Sequence, residues 1–213
     1  RPGTKRLERL PDDSRITVVA CDIGNYEDLP ELISDTCDIF YHLAWPRTAT
    51  YDEDYEDILF KCENIQTVMK AVHAAAIMGC AKFVGAGSQS EYGVDHVGRL
   101  SPETPCKPVR ADGIIHLAAG ELARILCEKA GMSCIWMRIF SIYGKYDRPN
   151  SMVRSTIAKL KSGEHCSFTQ SEQNWDFLAA EDAGRAFYLV GKKACGNHVY
   201  CLGSGERKTL REY

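Results

Sequence analysis

Lys82-Phe83-Val84-Gly85-Ala86-Gly87-Ser88-Gln89-Ser90-Glu91-Tyr92-Gly93 is the stretch that decides the fold. A short apolar run ends in a Gly-Ser turn, and Tyr92-Gly93 follows Ser88. A buried parallel strand delivers a hydroxyl in this way to the carboxyl edge of a sheet, where open α/β folds hold ligands. Ser88 is a candidate to hydrogen-bond a substrate oxygen; read blandly, it only caps the strand-to-loop turn. Ser90 is a candidate to line the same pocket. Further on, where such a hydroxyl needs an acid/base partner, the chain reads Ala111-Asp112-Gly113-Ile114-Ile115-His116.

Working outward from this strand, apolar runs alternate with helical patterns. Ile16 to Cys21, Cys37 to Ala44, Cys134 to Ile139 and His198 to Leu202 read as strands. Asn25 is expected to cap a helix through about Ile33, with Asp28 as its capping-box partner. Ile58 to Met78 is a long helix, with Ile65, Val68, Met69, Val72 and Ala76 on one face and Gly79 at its end. Leu117 to Lys129 is a second helix, closed by Gly131. Met152 to Leu160 and Asp182 to Val190 complete the set, with Asp182 as the cap of the last. Strands alternating with helices of this length predict an α/β fold with a mostly parallel, doubly wound sheet.

The chain has 213 residues, of which 26% are charged and 45% hydrophobic, ordinary values for a globular domain. A net charge of −3 gives no electrostatic case for nucleic acid or for an acidic membrane. No apolar run approaches the roughly 18 residues of a membrane-spanning helix. None of the ten cysteines forms a Cys-x-x-Cys pair. Cys80, Cys127, Cys134 and Cys201 sit in apolar runs and read as small core residues, so a reduced, cytoplasmic setting is expected.

In order, these pieces resemble the extended short-chain dehydrogenase/reductase family, and within it the NAD(P)-dependent epimerases and dehydratases of nucleotide sugars. Cys21-Asp22-Ile23 resembles the Asp-Ile/Leu element whose Asp meets the adenine. His42-Leu43-Ala44-Trp45 resembles the His-Leu-Ala-Ala turn beside the cofactor, and Asn64 matches an Asn of the long helix. Ser88 to Gly93 is similar to the segment carrying the catalytic Ser or Thr. Ser101 to Pro105 resembles a Pro-Glu-Thr-Pro loop, and Arg138 to Gly144 resembles Arg-x-x-Asn-Val-Tyr-Gly. Trp175-Asp176-Phe177 and Glu181-Asp182-Ala183 resemble two later elements.

The resemblance implies a Rossmann-type part over residues 1–140 and a mixed substrate-binding part over 141–213. It implies NAD or NADP as cofactor, contacted by Arg1, Asp22, Leu43, Ala44, Trp45, Asn64 and Ile139, with Arg1 tilting toward NADP. It implies a nucleotide sugar as substrate, near Ser90 and Ser141, and transient hydride transfer as the chemistry. Ser88, Asp112 and His116 occupy the catalytic positions. The two long helices are the pair that such proteins use to dimerise, and Ala74, Ala75, Ala118 and Ala119 are small enough for close helix approach.

Three departures bear on activity. The Gly-x-x-Gly-x-x-Gly turn is absent, and Arg1-Pro2-Gly3-Thr4 reads like the loop after a strand. In the family's sheet order, 3-2-1-4-5-6-7, the first two strands lie in the middle. Their loss would leave Ile16 to Cys21 without a neighbour, so a piece of a longer protein is expected. Second, Tyr-x-x-x-Lys is replaced by Asp112 and His116, which read as an acid/base relay or as an exposed i, i+4 pair. The replacement fits a non-catalytic homologue or a change introduced into an ordinary enzyme. Third, Ser141 and Trp175 stand where Asn and Arg are usual. Asp22 could also be a plain turn residue, and His42 a satisfied turn histidine. Tyr92 reads as a packing residue. The acidic run Asp52 to Asp57 reads as a solvated helix start. The histidines show no ligand spacing, so no metal is expected.

Overall fold

The computed structural model describes residues 10–46, 55–94, 98–206 and 208–213. Arg1 and residues 52–54 of the acidic run lie outside them. The main sheet has four parallel strands: β1 (Ile39–His42), β2 (Lys82–Ser88), β3 (Ser133–Ile139) and β7 (His198–Leu202), in the order β1-β2-β3-β7. Two small pairings lie outside this sheet. β4 (Ser141–Tyr143) runs parallel to β6 (Phe177–Ala179), and β5 (Asn174–Trp175) runs antiparallel to β8 (Lys208–Thr209).

Strand side chains alternate between faces, and here both faces are covered. Phe83, Cys134 and Trp136 enter one core with Val68 and Val72 of helix α2 (Tyr55–Ile77) and Ala119, Ala123 and Cys127 of α3 (Ala111–Lys129). Val84, Ala86, Ile135 and Met137 enter a second core with Ala183 and Phe187 of α5 (Ala180–Lys193). A short helix α1 (Leu29–Leu32) and α4 (Met152–Ser162) complete the helices. Gly85 and Gly87 have a steric purpose. A methyl group on either would run into the indole of Trp136, which lies across β2. No described helix is long and apolar enough to cross a membrane.

Ile16 to Cys21 has no ladder partner among the described residues, the outcome the sequence predicts for a strand without its neighbours, and Ile16 and Val18 are 40% and 57% exposed. A strand exists only with a neighbour, so its β-branched run does not suffice. Several other expectations are corrected. The cap of the next element is Asp22, not Asn25. Its carboxylate accepts from Gly24 N–H at 2.9 Å and starts a 3-10 turn over Ile23–Asp28, in which Asn25 is non-helical. The second long helix begins at Ala111, six residues early, because Arg110 is extended and ends the preceding loop. Asp182 lies in the first turn of α5, whose cap is Ala179. Asp57 is buried, not solvated, and pairs with the equally buried Lys61 at 2.5 Å. Ala74, Ala75 and Ala119 are wholly buried inside the chain, so they pack this fold rather than offer an outer face. The outward residues of α2 and α3 include Leu59, Ile77, Ile114, Leu122 and Ile125.

Candidate functional site

The quoted stretch ends as a capping box. Ser88 Oγ accepts from Ser90 N–H at 3.2 Å and from the Ser90 hydroxyl at 2.8 Å, while Ser88 N–H donates to Glu91 Oε1 at 2.9 Å. Both serines are half-buried at the carboxyl end of β2. Since the Ser88 oxygen already accepts twice, its own hydrogen is left to donate outward.

Beneath this turn lies a buried polar cluster. Glu91 is fully buried and accepts from Trp136 Nε1 at 2.9 Å and from Arg138 Nε at 2.7 Å. Arg138 also donates to Tyr92 Oη at 3.0 Å and to the Pro102 carbonyl at 3.3 Å, and it stacks on the Tyr92 ring. Tyr92 Oη donates to the Ser101 carbonyl at 2.8 Å and lies 3.0 Å from Cys201 Sγ. Burial, reinforced by the Cys201 contact, pushes the Tyr92 phenol up, so Tyr92 stays neutral and structural. The Glu91 network escaped the sequence reading. Its signal was present: Ser88-x-x-Glu91 is a capping-box pattern.

The helix that carries Asp112 and His116 meets this turn at Gly113. A Cβ there would strike the Ser90 carbonyl, so only glycine lets α3 approach so closely. Gly113→Ala is expected to cost about 1–3 kcal/mol by overpacking. A urea melt checks it; an unchanged midpoint would show that the turn yields freely.

Asp112 and His116 form neither a relay nor an exposed pair. His116 is 7% exposed, and its Nδ1 meets the Asp112 backbone carbonyl at 2.7 Å. Nδ1 therefore carries the proton and Nε2 is the acceptor. Burial lowers the His116 pKa, although Asp112 and Glu91 oppose it. The Asp112 carboxylate is 3.7 Å from Arg110 Nε, and its Oδ1 is buried without a hydrogen bond to a described residue. His116 stacks on Trp45, with ring centroids 3.9 Å apart. Trp45 Nε1 in turn donates to the Ala86 carbonyl at 2.7 Å.

The remaining candidates are more scattered. Leu43 and Ala44 are exposed beyond β1, and Ile139 closes β3 against the second core. Asn64 is buried and donates to the Pro46 carbonyl at 3.2 Å, tying down the loop after β1. His42 is corrected: it is 1% exposed, and neither ring nitrogen has a hydrogen-bond partner among the described residues. Ser141 is half-buried and begins β4, paired with Phe177. No hydrogen bond joins Ser88 to Asp112 or His116 among the described residues.

A cleft of about 1030 Å³ opens beside β4 and β6. Its wall includes Tyr143, Phe168, Gln170, Asp182, Arg211 and Tyr213. Phe177 meets Tyr143 and Tyr213 edge to face at 6.3 and 5.1 Å. The described residues contain no group of three or more His, Cys, Asp or Glu that could hold a metal ion.

Comparison with known proteins follows the same lines. The profile of the NAD dependent epimerase/dehydratase family matches residues 1–203. An uncharacterized UDP-glucose epimerase of Bacillus subtilis (strain 168) is 24% identical over 97% of the chain, which spans 65% of that protein's length. The fold matches a dTDP-glucose 4,6-dehydratase from Streptomyces venezuelae, solved with NAD and TYD bound (TM-score 0.82, 20% identity, 99% of this chain and 65% of that one). It also matches RMD from Pseudomonas aeruginosa complexed with NADPH (TM-score 0.79, 20% identity, 91% and 70%).

Proposed function

This chain belongs to the NAD dependent epimerase/dehydratase family, and from that premise we propose that the protein alters a nucleotide sugar by NAD- or NADP-dependent epimerisation, dehydration or keto reduction. The observation that carries this reading is the cleft beside β4 and β6. Its aromatic rim suits stacking on a nucleobase. Thr169 and Gln170 offer donors and acceptors to a base edge, and Arg211 offers a cation to a pyrophosphate. The volume of about 1030 Å³ is ample for a nucleotide sugar.

The chain's residues also fit a dinucleotide. Asp22 spends Oδ1 on the Gly24 amide and keeps its other oxygen for an adenine amino group. Exposed Leu43 and Ala44 give an apolar edge for the cofactor to lie against. Asp112 Oδ1, which has no hydrogen bond among the described residues, and the Nε2 of His116 are acceptors for ribose or sugar hydroxyls. When bound, the cofactor supplies transient hydride transfer. Ser88 donates its hydroxyl hydrogen to a sugar oxygen, held in direction by Ser90 and Glu91. Trp45 and His116 exclude water from the same corner.

A second reading, binding without turnover, is favoured by the commitment of His116 Nδ1 to a backbone carbonyl. That bond leaves no proton path between His116 and the Asp112 carboxylate. Calorimetric titration with UDP-glucose and dTDP-glucose, with NAD present, tests both. Micromolar binding weakened about tenfold by Phe168→Ala and by Arg211→Ala supports the cleft. Conversion of the bound sugar, followed by NMR, selects the first reading over the second. No binding of either sugar nucleotide sinks the proposal.

A further inference from the structure

We infer that Trp45 and His116 are a single coupled replacement, in which the indole fills the volume that a lysine at 116 would need. Residue 45 thereby decides which group position 116 can present to a ligand hydroxyl, and this last clause rests on the cofactor reading above.

The indole is fixed on several sides. Its Nε1 is bound to the Ala86 carbonyl at 2.7 Å. It meets His42 and Trp136 edge-on, with centroids at 5.9 and 6.3 Å. The next residue, Pro46, is held by Asn64. Trp45 packs against both cores, at the carboxyl edge of the sheet. With the rings at 3.9 Å and 29° between their planes, the indole covers one face of the imidazole, and a longer side chain at 116 would have to displace it or turn away. The family motif has alanine at position 45 and lysine at 116. The chain enlarges the first and shortens the second, so the indole takes the face along which a lysine at 116 would extend. A single accidental change at 116 would not come with its filler in a loop distant in sequence.

Four forms of this chain test the coupling: parent, Trp45→Ala, His116→Lys and the double variant. His116→Lys is expected to lower Tm by roughly 5 °C in the parent and by nothing further in the Trp45→Ala background. Equal drops in both backgrounds overturn the coupling. A second measurement holds if a variant fails to fold. NMR titration of His116 should give a pKa below the ordinary value of about 6.5 in the parent and in Trp45→Phe, and one raised toward that value in Trp45→Ala. Glu91 and Asp112, the charges acting on the ring, are common to all three. The same titration in all three overturns the inference. Finally, the double variant should bind NADH about tenfold more tightly than the parent. Coupling in the melts without that gain upholds the pair and overturns the cofactor clause.

Discussion

Glu91→Gln will destabilise the fold by about 3–5 kcal/mol, the largest effect expected of any single substitution here. The carboxylate is fully buried and holds three donors, on Ser88, Trp136 and Arg138. Glutamine keeps the shape but removes the charge, and its amide would point donors at donors. Arg138, itself 5% exposed, would then be a buried cation without its counter-ion. The capping box under Ser88 would loosen with it, so the hydroxyl that faces the ligand would lose its direction. A thermal melt should fall by roughly 10 °C. Glu121→Gln is the contrast. That carboxylate is 55% exposed and pairs with Arg124 on the surface of α3, so its loss should cost under about 1 kcal/mol. Similar melts for the two variants would refute the assignment of Glu91 as the anchor of the site.

The second large effect is set by acid. His42 is buried among Tyr26, Trp45 and Phe83, and neither ring nitrogen finds a partner among the described residues. Burial lowers its pKa from 6.5 to about 4. Between those values the unfolded chain binds a proton that the folded chain refuses. Stability therefore falls as the pH drops from 6.5 toward 4, by about 3 kcal/mol from this residue alone. His42→Phe keeps an aromatic ring in the aromatic box and removes the titration. Urea midpoints measured at pH 7 and pH 4.5 should diverge between the two proteins, with the variant losing less. If the two lose the same amount, His42 is not the acid-sensitive element.

Much of the architecture is legible in the residues. β2, β3 and both long helices follow from local pattern, because continuous apolar runs and a 3.6-residue stripe each demand one kind of burial. Gly79 and Gly131 mark helix ends, since both adopt a positive φ. The Ser88 turn is legible too, and with it the placement of a hydroxyl at the sheet's edge.

What sequence could not decide depends on partners distant in the chain. Asp112 and His116 look like an exposed pair along one helix. His116 became a buried, neutral ring because Trp45 folds over it from the loop after β1, while the Asp112 carboxylate stays beside Arg110. Glu91 looks like a surface acid until Arg138 and Trp136 arrive from β3. Local pattern determined most of the elements and the glycine ends of the two long helices, because those energies are short-ranged. The tertiary structure decided the charge and direction of each candidate group, because burial and ion pairing are set by whatever the rest of the chain brings within a few ångströms.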